Sequence, residues 1–317
     1  MITLPWLYTL AGAMFAAFAI LSAFDRSNPK RIGNAIFWGL MAASLLAGDR
    51  IGDFGNGLLV LALAGIGGFN LIGRSHPSTT SDPEREHWSA ELGNRLFLPA
   101  LIIPVTALVG TLAYNYTPLG GAGWIEPKRE TYVFLALGVL IALAVILTWL
   151  RPPVIAPLNE GRRLIDSIGW AAVLPQMLAA LGVLFAAAGI GEIIGNLTGS
   201  IIPEGHVLPA ILVFAIGMAL FTMIMGNAFA AFPVMAAAIG VPVLIEHYHG
   251  NPAVVGAVGM LAGFCGTLMT PMAANFNLVP AALLEMKDQY GVVKAQLATA
   301  LPLLALNILI IWWAGFR

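Results

Sequence analysis

The sequence predicts an all-α integral membrane protein, a polytopic helical bundle with a re-entrant hairpin and a discontinuous helix in its C-terminal half. Three observations carry that expectation. Of 317 residues, 59% are hydrophobic and only 10% charged, with a mean hydropathy of +0.87; soluble domains carry about 25% charged residues. Apolar runs near the roughly 20 residues needed for a crossing helix recur along the chain. Two further runs, 208–244 and 253–286, are too long for single crossings and are interrupted near their middles by Gly, Asn, Thr and Pro. The expected setting is the lipid bilayer of a cytoplasmic (inner) membrane, crossed many times.

Composition also excludes several classes. A net charge of −1 with no basic cluster argues against nucleic acid. The single cysteine, Cys265, lies in an apolar run and offers no disulfide framework or Cys-based metal site. The spans contain no paired carboxylates, zinc motif, Ser/His constellation or cofactor loop, so no enzyme, cofactor or resident metal is expected. GIGEIIG at 189–195 lacks the spacing of a nucleotide loop, and His247-Tyr248-His249 has no further ligands nearby.

In chain order, single spans are expected near 4–23, 33–48, 54–73, 96–114, 132–150, 169–190 and 295–315. The opening MITLPWLYTL lacks a basic n-region and reads as a retained span. The polar loop 74–95 is expected on the cytoplasmic side, with a short amphipathic helix near 83–95 and a solvated charged face. An outside N-terminus places Arg26, Lys30, Arg31, Arg74, Arg85, Arg95, Arg151, Arg162, Arg163, Lys287 and Lys294 inside. Only Arg50, Lys128, Arg129 and Arg317 then fall outside, in keeping with the positive-inside rule. The bias holds only if one of the two long runs turns back to the side it entered from, and spacing leaves open which. Residues 1–168 are expected to form scaffold or partner-contact helices, and 169–317 the half that carries the site.

From Arg163 to Lys287 there is no Lys or Arg. The ionisable residues between them are Asp166, Glu192, Glu204, His206, Glu246, His247, His249 and Glu285, mostly at loop positions, with Glu192 at the end of a span. An anion held in this region must rely on backbone N–H groups at helix N-termini and on neutral side chains.

The first break lies in MIMGNAFAAFPVM, residues 223–235. Gly226 can end a helix in the left-handed conformation, and Asn227 can cap the next one. The N–H groups of Ala228, Phe229 and Ala230 would then face the gap, while Pro233 kinks the segment or marks a later start. In the second run, Gly256, Gly259, Gly263 and Gly266 share one helix face suited to close helix contact. Gly266 can end that half-helix, and Thr270-Pro271 reads as an N-cap followed by Pro at the first helical position. Thr267, Thr270, Asn275 and Asn277 add neutral donors and acceptors; the two asparagines cannot share one face, and Asn275 is the one selected. Two polar breaks at mid-depth are costly unless something fills them.

With these residues in view, the whole chain resembles the larger membrane subunit of the bacterial two-subunit 5-oxoproline (pyroglutamate) transporters, a family long described only as a domain of unknown function. The likeness rests on the short first loop, the polar loop 74–95 and the interrupted C-terminal half. More distantly, that half is similar to one repeat of the ion-transporter superfamily, which includes dicarboxylate and gluconate carriers. The resemblance implies that 208–244 is a re-entrant hairpin with Gly226-Asn227-Ala228 at its tip. It also implies that 253–286 is an unwound helix with Thr267, Thr270 and Pro271 in its break. The dicarboxylate carriers have Ser-Asn-Thr at the tip, where this chain has Gly-Asn-Ala, and no second hairpin-plus-break unit lies in 1–168. A smaller membrane partner subunit is therefore implied. The expected substrate is a small carboxylate, 5-oxoproline by resemblance, bound by Gly226, Asn227, Ala228, Thr267, Thr270, Pro271 and Asn275. Transport would be coupled to Na⁺ or H⁺, with a Na⁺ position near Asn227, Gly266 and Thr267. The competing expectation is a membrane scaffold or assembly subunit without its own substrate site.

Overall fold

A computed structural model describes residues 1–74, 81–118, 120, 123–199 and 205–317. Residues 75–80 of the polar loop and the expected loop residue Glu204 lie outside the described residues. The regular elements among the described residues are all helices, apart from one isolated bridge between Ile2 and Ile125. Among the described residues, seven helices are long and apolar enough to cross a membrane. The chain is a multi-pass membrane protein by that measure. It divides into two compact units, Met1–Gly169 and Trp170–Arg317.

In the first unit, α1 (Leu4–Phe24) opens with a proline in its first turn, where the missing N–H costs nothing. The helical run α2 (Arg31–Gly68) would be about 57 Å long if straight. It is not straight: Gly52 has φ 73° and ψ 175°, and the chain doubles back there. The Gly73 N–H donates to Asn34 Oδ1 at 2.8 Å, and Asn34 Nδ2 donates to the Gly73 carbonyl at 2.7 Å. A Cβ on Gly33 would collide with the Leu71 carbonyl oxygen. The two spans expected at 33–48 and 54–73 are thus the arms of one helical hairpin. At its turn, Asn56 Nδ2 donates to the carbonyls of Gly48 (2.9 Å) and Gly52 (3.0 Å).

Gly12 lets α1 approach this hairpin, since a Cβ there would lie 2.6 Å from Leu46 Cγ. In the polar loop, α3 (Asp82–Leu92) starts with a capping box, the Ser81 N–H donating to Glu84 Oε2 at 2.7 Å. The helices α4 (Leu98–Tyr116) and α5 (Glu130–Trp149) pack closely where Gly138 meets the Ile103 backbone, 3.0 Å from a would-be Cβ.

The amphipathic α6 (Ala156–Ile168) turns its polar residues inward. Arg162 Nη1 donates to Asp25 Oδ2 at 2.7 Å, and both side chains are buried. Asp166 Oδ1 accepts from Asn34 Nδ2 (2.8 Å) and from Trp38 Nε1 (2.7 Å). Buried charges persist when paired and hydrogen-bonded in this way. The network gathers residues 25–34, 70–73 and 162–166 at one end of the unit, which brings Lys30 and Arg162 together among the basic positions expected to share a side.

In the second unit, the expected span 169–190 is a 3-10 turn over Gly169–Val173 leading into a shorter helix, α7 (Leu174–Ala187), and a further helix, α8 (Ile190–Gly199), follows it. The chain between them turns at Gly189 with φ 68°, a conformation that a side chain resists. Next come α9 (Val207–Met225) and α10 (Ala228–Met235), the latter continuing as a π-helix over Ala236–His247. Pro242 lacks the N–H an α-helical ladder would need there, and the wider coil closes with the Tyr248 N–H on the Val243 carbonyl, 3.0 Å. The chain then forms α11 (Pro252–Leu268), α12 (Ala274–Leu283) and α13 (Gly291–Gly315).

The α9 and α10–π arms run antiparallel. A Cβ on Gly217 would lie 2.8 Å from Met235 Cε, and one on Gly240 would lie 3.2 Å from the Phe214 ring. Each arm, Val207–Met225 and Ala228–His247, is long and apolar enough to cross a membrane. The buried core beneath them includes Ile211, Phe214, Met218, Ile239, Leu244, Val255 and Ile311.

Candidate functional site

The local sequence explains the hairpin tip. Gly226 adopts φ 72° and ψ 3°, the left-handed position that closes a helix, and its N–H bonds the Thr222 carbonyl at 2.7 Å. Asn227 is extended and its Oδ1 accepts the Phe229 N–H at 2.8 Å, while its carbonyl accepts the Ala231 N–H at 3.1 Å. By helix geometry the Ala228 and Ala230 N–H groups have no carbonyl within the helix. Ala228 and Ala230 are buried, Asn227 is half-buried and the Phe229 ring is exposed.

The second break differs from the sequence expectation in two respects. Gly266 does not end a half-helix; α11 runs on to Leu268. Gly266 serves contact instead, because a Cβ there would collide with the Ala219 carbonyl oxygen and sit 3.0 Å from the carbonyl carbon. Gly259 and Gly263 likewise face Phe214 and Met218, so the glycine stripe is the surface on which α9 lies. Nor do Thr270 and Pro271 start the next helix: α12 begins at Ala274 after a non-helical stretch over 269–273. The Thr270 hydroxyl is occupied otherwise. It donates to the Met223 carbonyl at 2.9 Å and accepts the Met272 N–H at 3.2 Å.

Those bonds bring the two interruptions together. Met223 is in the last turn of α9, and a Cβ on Gly226 would lie 2.5 Å from the Met272 carbonyl oxygen and 2.7 Å from its carbon. The tip of the hairpin therefore rests on the break of the α11–α12 segment. Asn277 holds the break from the far side, its Nδ2 donating to the carbonyls of Thr267 (2.8 Å) and Thr270 (2.6 Å). Two fully buried polar atoms near this junction have no hydrogen-bond partner: Thr222 Oγ1, one turn before the tip, and Asn277 Oδ1. Such atoms cost about 1–3 kcal/mol each when left unsatisfied.

Of the residues selected from sequence, Gly226, Asn227, Ala228, Thr267 and Thr270 meet at this junction. The Thr267 hydroxyl is turned back onto the Phe264 carbonyl at 2.7 Å, so its carbonyl oxygen is the atom offered to the break. Pro271 is exposed in the turn. Asn275 is exposed on α12, while Asn277 is fully buried at the break. The sequence gives a reason to separate the two asparagines but no reason to prefer Asn277; that preference follows from the direction in which α12 leaves the turn. Thr222 carries no signal at all in sequence, since a threonine inside an apolar helix ordinarily bonds its own backbone.

The junction has no ionised side chain among these residues. What it can offer chemically is backbone N–H at the α10 terminus, backbone carbonyls at the 269–273 turn, and the hydroxyl and amide oxygens of Thr222 and Asn277. Among the described residues no group of three or more His, Cys, Asp or Glu is placed to hold a metal ion.

No curated protein and no solved structure matches the chain. A family model does, over residues 5–316, and its description is a protein of unknown function (DUF979). The match spans nearly every residue of both units, including the hairpin and the break, and the chain belongs to the DUF979 family.

Proposed function

We propose that this chain is a subunit of an ion-coupled secondary transporter for a small carboxylate, 5-oxoproline being the substrate to test first, and that it works with a smaller membrane subunit in a bacterial inner membrane with its N-terminus outside. The observation that carries the reading is the meeting of two interrupted apolar elements at their interruptions, the Gly226-Asn227 tip against the 269–273 turn. Transport proteins build midplane sites from such breaks, with helix N-termini facing anionic groups and unwound carbonyls facing cations. The α10 terminus fits the first role and the turn carbonyls fit the second. Those carbonyls favour Na⁺ over H⁺ as the coupling ion. In this reading the α9–α10 pair acts as the re-entrant hairpin and α11–α12 as the discontinuous membrane helix.

A specific observation favours the competing scaffold reading. Thr270 and Asn277 already satisfy the Met223, Thr267 and Thr270 carbonyls, so much of the break is repaired from within the chain. The two readings separate on one substitution. Asp is as good an N-cap as Asn, so Asn227→Asp keeps the Phe229 bond and the fold while adding a negative charge at the tip. Labelled 5-oxoproline uptake is measured in cells lacking their own system, with both chains expressed. A transporter site loses uptake in Asn227→Asp at normal membrane abundance; a scaffold retains it.

A further inference from the structure

The two orphaned atoms at the junction differ in chemistry, and the difference suits them to different ligands. Asn277 Nδ2 is committed to the Thr267 and Thr270 carbonyls, at 2.8 and 2.6 Å. Turning the amide over would set its oxygen against those two carbonyl oxygens, so its orientation is fixed. Asn277 Oδ1 is therefore a fully buried acceptor without a donor. An amide oxygen beside the carbonyls of a non-helical turn is the environment that unwound membrane helices offer to a cation.

Thr222 Oγ1 has a hydrogen to donate. It is also fully buried, and it does not bond back into its own helix as a helical threonine ordinarily does. A Cβ on Gly263 would lie 3.2 Å from this oxygen and 3.2 Å from the Ala228 Cβ, so the hydroxyl stands beside the first residue of α10. The Ala228 and Ala230 N–H groups at that helix end have no carbonyl within the helix. A hydroxyl and backbone N–H groups at a helix N-terminus suit a carboxylate. The two orphaned atoms flank one short chain of bonds: Thr270 bonds the carbonyl of Met223, next in sequence to Thr222, and Asn277 bonds the carbonyl of Thr270.

Neither ligand finds a counter-charge in this unit. Each Asp, Glu, Lys, Arg and His among the described residues of the second unit is exposed, and the junction residues include none of them. A cation or a carboxylate alone in the junction would leave water with nothing to offset its desolvation. Together they attract each other strongly in a medium of low dielectric constant. We propose that the junction takes one monovalent metal cation such as Na⁺ and one carboxylate as a neutral pair, the cation on Asn277 Oδ1 and the turn carbonyls, the carboxylate on the Thr222 hydroxyl and the α10 terminus. Each then raises the affinity for the other by the same factor. One cation enters with each substrate, and transport moves no net charge. The inference rests on the transporter reading given above and adds to it the ligands of the two ions, their ratio and the electrical character of the cycle.

The test uses the chain purified with the smaller membrane subunit of the 5-oxoproline transporter family. Melting temperature is read in choline chloride and in NaCl of equal ionic strength, each with and without 5-oxoproline. The expected result is a rise of several degrees only when Na⁺ and 5-oxoproline are both present. In liposomes, Na⁺-driven uptake of labelled 5-oxoproline is expected to be the same with and without an inside-negative membrane potential. Thr222→Val keeps the side-chain shape and removes an unsatisfied atom. It is expected to melt no lower than the wild type in choline, and to need about tenfold more 5-oxoproline for half of the Na⁺-dependent rise. A rise with Na⁺ alone or with 5-oxoproline alone overturns the neutral pair and leaves the transporter reading standing. Uptake that grows with the membrane potential overturns the one-to-one ratio. A lower melt of Thr222→Val in choline makes Thr222 a structural residue and overturns its place in the site. Uptake without any rise in melting temperature overturns this inference alone. Absence of both from the folded wild-type complex overturns the transporter reading and this inference with it.

Discussion

Alanine at Gly226 combines two penalties that can be separated by a control in the same unit. The first is backbone strain: Gly226 has φ 72°, and a residue with a Cβ in the left-handed region costs about 1–2 kcal/mol. The second is collision, since the new Cβ would stand 2.5 Å from the Met272 oxygen and 2.7 Å from its carbon. Relieving that contact forces the tip and the turn apart, which costs about 1–3 kcal/mol on the scale of overpacked cores. Gly189 has nearly the same backbone, φ 68°, but the nearest atom to its would-be Cβ is Glu192 Oε2 at 4.0 Å. Gly189→Ala therefore carries the strain without the collision. With about 2–4 °C of melting temperature per kcal/mol for a unit of this size, Gly226→Ala is expected to lose roughly 4–20 °C and Gly189→Ala roughly 2–8 °C. The assay is thermal unfolding in detergent followed by near-ultraviolet circular dichroism, with inactivation half-lives where unfolding is irreversible. Equal losses in the two variants would refute the claim that the hairpin tip bears on the 269–273 turn.

Three further outcomes are expected. Thr270→Val keeps the side-chain shape but removes the bond to the Met223 carbonyl and the acceptor for the Met272 N–H, destabilising the protein by about 1–3 kcal/mol in the same melt. Asn227→Ala loses the cap on Phe229 and about 1 kcal/mol, whereas Asn227→Asp melts like the wild type; a large loss in the aspartate variant would mean that the amide nitrogen, not the capping oxygen, matters. At the end of the first unit, burial pushes the Asp25 carboxyl up, but hydrogen bonds from the Ser27 hydroxyl and N–H, and then the bond and charge of Arg162, outweigh this and hold it below its ordinary value. A carboxyl depressed in the folded state stabilises that state above its unfolded pKa, and the contribution is lost as pH falls through the folded pKa. Melting temperature should therefore drop below about pH 4, and Asp25→Asn should flatten that part of the profile.

What could be read in the sequence was local. Gly226 and Asn227 each act within a few residues, one by accepting a left-handed turn and the other by capping the helix that follows, and both do so as expected. The Gly256–Gly266 stripe also announces its purpose by spacing alone. Thr270-Pro271 was misleading because the threonine hydroxyl bonds a carbonyl 47 residues away, and no rule of helix starts contains that competitor. The choice between Asn275 and Asn277 turns on the direction of a five-residue turn that sequence does not specify. Residues 169–190 read as one span in hydropathy, but α7 fills only Leu174–Ala187, and after the left-handed turn at Gly189 the chain forms α8, whose Gly191 and Gly195 lie against residues 234–238.

The clamp on Gly73 bears on how the protein is made. Asn28 and Asn34 reach that backbone across 45 and 39 residues, so α1 and the helical hairpin can close on each other while the rest of the chain is still on the ribosome. Asn34 and Trp38 acquire Asp166 only after 132 and 128 residues, once α4, α5 and α6 have been synthesised. Asn34 is thus used twice, first to hold a nascent three-helix insertion intermediate and later to dock α6 onto it. A defect at Asp166 should leave the early intermediate in the membrane and stall assembly at the second step, whereas a defect at Asn34 should act at both.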